Sequence, residues 1–75
     1  MPVVTLSAVI HRDNDLYVAE CPELGTVSQG RTIEEAVANL KEATELYLEE
    51  QEKPLTVGPV ILTTFSIDTS NAEAA

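Results

Sequence analysis

The side chains with any capacity for chemistry are few: one histidine, one cysteine and thirteen carboxylates in 75 residues. As a general base, His11 would need an orienting partner and a pocket. Its nearest acids in sequence, Asp13 and Asp15, belong to a turn-forming run, so it reads as a polar residue near a strand end. Cys21 would need a nearby cation or a helix N-terminus to become a reactive thiolate. Followed by Pro22, it reads better as a small buried apolar group. One Cys with one His is no zinc set, and a lone Cys forms no internal disulfide. The carboxylates do not converge in the way two-metal chemistry requires. The first β-rich run, 3–12, has none, and Glu20 is the only one in the second. Gly25 and Gly30 match no phosphate-binding loop, and Tyr17, Tyr47 and Phe65 offer no platform for stacking bases. No catalytic residue, cofactor or metal is expected.

Charge points the same way. Four basic residues against thirteen acidic ones leave a formal charge of −9. Such a surface repels phosphate backbones, which argues against direct nucleic-acid binding. It suits a basic protein partner, because complementary charge speeds encounter. The carboxylates assigned to partner contact are Glu20 in the second strand and Glu42, Glu45 and Glu49 on the helix. A solvated, solubilising face is the plainer reading of the same residues. The chain opens with no signal-peptide pattern and has no apolar run near the roughly 20 residues that span a bilayer. With one free thiol, a cytoplasmic, non-membrane protein is expected.

The elements that hold these residues follow from periodicity. Residues 3–12 alternate, with Val4, Leu6, Ala8 and Ile10 on the more apolar face and Val3, Val9 and His11 on the other. Asp13-Asn14-Asp15 predicts a turn and 16–21 a second strand, together a hairpin. Pro22 ends that strand because it cannot donate to a ladder. Pro22-Glu23-Leu24-Gly25 makes a turn, with Gly25 available for positive φ. Residues 26–29 form a short third strand. Thr32 and Glu35 form a capping box, opening a helix whose apolar stripe is Ile33, Ala36, Val37, Leu40, Ala43, Tyr47 and Leu48. Glu52 falls on its polar face, and Pro54 stops it near Gln51. Residues 57–67 predict a last strand, regular from Val60. The fold class is α+β: a β-β-β-α-β two-layer sandwich with one helix on one sheet face. Residues 1–69 form one domain and 70–75 a frayed tail. A core this thin predicts a homo-oligomer, a dimer or tetramer.

Part of the chain also resembles the HicB-like antitoxin family. The resemblance is carried by Tyr17-Val18-Ala19, Pro22-Glu23-Leu24-Gly25, Ser28, Gly30, Thr32, Glu34-Glu35-Ala36, Asn39-Leu40, Glu42-Ala43 and Tyr47-Leu48. It covers about half the chain, in order. It implies a partial ribonuclease-H-like fold and a role in neutralising a small basic, mRNA-cleaving toxin (a HicA-like protein) by covering its active site. Many members of that family also carry a C-terminal DNA-binding domain. Here only residues 68–75 follow Ile67, so operon repression by this chain alone is not expected. The alternative reading is a stand-alone oligomeric binding or scaffold domain of the same fold with no toxin partner.

Overall fold

A computed structural model describes residues 3–51, 55 and 57–71. Three strands form an antiparallel sheet in the order β1-β2-β3: β1 (Val9–Asp13), β2 (Leu16–Cys21) and β3 (Thr26–Gly30). A helix, α1 (Ile33–Glu49), packs against β3 and, to a lesser extent, β2. The α+β arrangement and its β-β-β-α order are those expected.

The β1–β2 hairpin turns through Asn14 and Asp15, with Asp13 opposite Leu16. Asn14 takes the left-handed conformation at φ 57°, which asparagine tolerates. The β2–β3 turn uses Gly25 at φ 78°, and its N–H donates to the Cys21 carbonyl at 2.7 Å.

β1 is shorter than the expected run 3–12, and the sheet register explains why. Val9 pairs with Glu20. Continuing that register places Ser7 opposite Pro22, which has no N–H to offer. The ladder therefore ends, and the Glu23 carboxylate accepts from the Ser7 backbone N–H at 2.9 and 3.0 Å and from its hydroxyl at 2.8 Å. Leu6 still packs on the core, on the face expected for it.

Thr32 caps the helix as expected, its hydroxyl accepting from the Glu35 N–H at 3.0 Å. The reciprocal half of the box differs. Glu35 accepts from the backbone N–H of Arg31 at 3.1 Å, one residue before the cap, and not from Thr32 itself. The helix closes at Glu49, with the Glu50 and Gln51 N–H groups donating to Tyr47 and Leu48 carbonyls. Glu52 and the Pro54 stop signal lie outside the described residues.

The buried core is small: Ala19, Cys21, Ala36 and Leu40, with Leu6, Ile10, Tyr17 and Leu24 packed around it. The helical stripe is narrower than the periodicity predicts. Ile33, Val37 and Tyr47 remain exposed, while Thr44 is buried and shares a 2.8 Å hydroxyl–hydroxyl hydrogen bond with Thr26 of β3. Asn39 adds a second tie by donating to the Gln29 carbonyl at 2.8 Å.

The last strand expected over 57–67 is not formed. Residues 57–68 carry no helix or strand, and Ile61 and Phe65 are 86% and 87% exposed. A strand exists only where a neighbour accepts its backbone hydrogen bonds, and none of the three strands pairs with this segment. Of the expected tail 70–75, Ser70 and Asn71 belong to a short 3-10 turn, Thr69–Asn71, held by the Asp68 carboxylate accepting from the Ser70 N–H at 2.9 Å. Residues 72–75 lie outside the described residues.

Two substitutions check this packing. A Cβ on Gly30 would lie 2.5 Å from the Ala36 nitrogen and 2.8 Å from the Glu35 carbonyl carbon. Gly30→Ala is therefore expected to cost about 1–3 kcal/mol in denaturant unfolding, whereas Gly58→Ala, which meets nothing within 4 Å, should be near neutral. Thr32→Ala should cost about 1 kcal/mol; an unchanged melting temperature would show that the cap does not hold the helix start.

Candidate functional site

Strand alternation assigns the chemistry-bearing residues to faces. Ala19 and Cys21 point under the helix, so Glu20 between them points to the opposite, open side of the sheet. There it lies between Val9 of β1 and Val27 of β3, its register partners. Val9 is 37% and Val27 55% exposed. His11 shares this face, exposed and paired with Val18. The open face is thus mixed, with valines around one carboxylate.

Glu42, Glu45 and Glu49 are all exposed and recur at helical spacing on the side of α1 turned away from Ala36, Leu40 and Thr44. The fold gathers these three into one anionic row and leaves Glu20 apart from them, across the sheet. The four residues grouped from sequence therefore occupy two surfaces. Glu34 and Glu35 lie in the first helical turn, where they favour the positive end of the helix dipole. No basic residue lies in the last turn, so Glu45 and Glu49 approach the negative end unbalanced by a cation on their own turn.

Cys21 is buried, 1% exposed, and its Sγ lies 3.4 Å from a Glu23 oxygen. This is the environment of a structural thiol donating weakly to a carboxylate, as expected of it. Among the described residues no group of three or more His, Cys, Asp or Glu is placed to hold a metal ion. No helix among them is long and apolar enough to cross a membrane.

Glu23 is the carboxylate whose role the sequence did not disclose. Partial desolvation pushes its pKa up, but hydrogen bonds from the Ser7 hydroxyl, the Ser7 and Glu23 N–H groups and the Cys21 thiol outweigh this and hold it below 4.5. The signal available in sequence was the pairing register, which brings residue 7 opposite the Pro22 turn.

Beside this staple the helix leaves part of the sheet uncovered. A groove of about 360 Å³ lies between residues 4–8, Cys21 and the flank of α1 that carries Val37, Leu40, Thr44 and Leu48. Only Lys41 and Glu45 bring charge to its lining.

The comparisons with known proteins match this small domain to others of its size. A UPF0150 protein of Helicobacter pylori (strain J99) is 52% identical over 48 residues, covering 63% of this chain and 67% of that protein. The chain belongs to the UPF0150 family. A second UPF0150 protein, from Synechocystis, is 48% identical over 46 residues, covering 59% of this chain and 67% of that one. No family profile matches the chain, and no solved structure matches it.

The Glu23 contact makes a pH prediction for this UPF0150 domain. A carboxyl whose folded pKa lies below its unfolded value contributes stability above the unfolded value and loses it as pH falls through the folded one. The unfolded value is near 4.5. Thermal melting should therefore weaken progressively below about pH 4.5, and Glu23→Gln should flatten that part of the profile. Superimposable acid limbs for the two proteins would show that the carboxylate does not hold residue 7 in solution.

Proposed function

We propose that this chain is a HicB-like, antitoxin-type binding protein that neutralises a small basic, mRNA-cleaving toxin by covering it. It works by contact and not by turnover, in the cytoplasm. The observation that carries this reading is the row Glu42, Glu45 and Glu49. Carboxylates near a helix C-terminus oppose the dipole by about 0.3–1 kcal/mol each. The Glu45–Glu49 pair, four apart on one face, adds a like-charge repulsion of roughly 0.2–0.5 kcal/mol. The last turn supplies no cation to offset either. A basic partner laid along the row relieves both terms at once, and the formal charge of −9 steers it there. The same charge disfavours a nucleic acid as the direct ligand. The expected partner is therefore the toxin protein, HicA-like in charge and size, and not its RNA substrate.

A stand-alone oligomeric scaffold is the second reading. It draws on the uncovered groove beside α1, a feature that a toxin-binding helix row does not need.

Co-expression with the product of the adjacent gene tests the first reading. The complex should co-purify at low salt, weaken at high salt and restore growth. Absence of both co-purification and rescue removes the antitoxin reading. Reversing the row (E42K/E45K/E49K) should slow association roughly tenfold or more at low ionic strength. An unchanged on-rate would mean the row is only solvated.

A further inference from the structure

Two features of this fold lack partners within the chain, and they match each other. The first is the groove described above. Its strand-side wall, residues 4–8, alternates like a strand, yet beyond Ser7 the Pro22 turn gives it no ladder to join. Apart from the Ser7 N–H, which Glu23 takes, the backbone of this stretch makes no backbone–backbone hydrogen bond among the described residues and can receive a further strand. The second is the segment 57–67. It has strand periodicity, with Ile61, Phe65 and Ile67 on one face, and these side chains are 86%, 87% and 71% exposed. Such a row of large apolar groups in water marks an interaction surface.

Shape supports separating the two within one chain. The radius of gyration is 15.7 Å, against about 11 Å for a compact chain of this length. The long axis measures 51 Å and the short one 17 Å. Charge identifies the occupant. Two copies with a formal charge of −9 repel, but the arm 57–67 contains no ionisable side chain at all. It can therefore enter the groove of an acidic neighbour without meeting that repulsion, and its uncharged apolar row fits a mainly apolar lining.

We propose that the arm 57–67 of one protomer enters the groove of a second copy and pairs alongside its residues 4–8. The exchange is reciprocal and closes as a two-fold dimer. It supplies in trans the fourth strand that the chain does not build for itself. Each protomer contributes an arm of eleven residues and a groove lined by eleven, which meets the about 20–30 residues a side of a stable interface. The inference does not rest on the toxin reading.

Sedimentation equilibrium of the full chain tests it. The wild type should have twice the chain mass and Phe65→Asp the mass of one chain. Because Phe65 is exposed in the protomer, that variant should keep its helical circular dichroism. Val37→Glu, in the groove, should also give a single-chain mass. A fluorescent peptide of residues 57–67 should then bind F65D saturably, and bind the F65D/V37E double variant about tenfold or more weakly, a difference of about 1.4 kcal/mol. A wild type of single-chain mass up to its solubility limit overturns the proposal, as does a dimer that survives F65D. Failure of the peptide to bind F65D overturns it too, since an arm that pairs only with another arm has no use for the groove.

Discussion

The approach of β3 to the start of α1 sets the rest of this structure. Gly30 ends the strand against the Glu35–Ala36 backbone, at a distance that leaves no room for a Cβ. The small residues Ala19 and Ala36 continue that contact, and the Thr26–Thr44 and Asn39–Gln29 hydrogen bonds lock it along the strand. A single helix drawn this tightly over β3 and β2 does not close over the residues that precede β1, which line the groove. The open groove is thus a consequence of where the helix is anchored.

A second constraint acts at Pro22. By ending β2 it also ends the ladder available to β1, so residues 4–8 follow the sheet direction without its hydrogen bonds. Glu23 compensates at one point by accepting from Ser7, and the cost is a half-buried carboxylate whose charge must be kept. Among the described residues the fold therefore combines a very small core, in which Cys21 is the largest fully buried side chain, with two unpaired strand-like segments. Chains of this size commonly gain stability by association. Here association and incomplete pairing have the same origin.

The carboxylates divide between local structure and encounter. Glu35 completes the helix cap, and Glu23 holds residue 7. Glu42, Glu45 and Glu49 accept no hydrogen bond of this kind among the described residues; they lie exposed on α1 away from Ala36, Leu40 and Thr44. The proposed toxin-facing row adjoins the apolar groove at Glu45, but the two surfaces act differently. One is long-ranged and sensitive to salt, while the other is short-ranged and depends on fit.

What the sequence determined by itself was local. Thr32 and Glu35 declared the helix start, Asn14 and Gly25 the turns, Pro22 the end of β2, and alternation the three strands that formed. These are short-range effects of backbone conformation and hydrogen bonding, complete within a few residues. Tertiary structure alone decided which periodic segments found partners. Residues 3–8 and 57–67 carry the same alternation as the true strands, but a strand requires a neighbour in the right register, and periodicity contains no information about neighbours. It also decided that Thr44 is buried and Val37 exposed, because the helix face carrying Ala36, Leu40 and Thr44 is the one set against the sheet, where Thr44 meets Thr26 of β3. And it placed Glu20 across the sheet from the helical carboxylates, since faces, unlike residue types, are assigned only when a sheet is covered on one side.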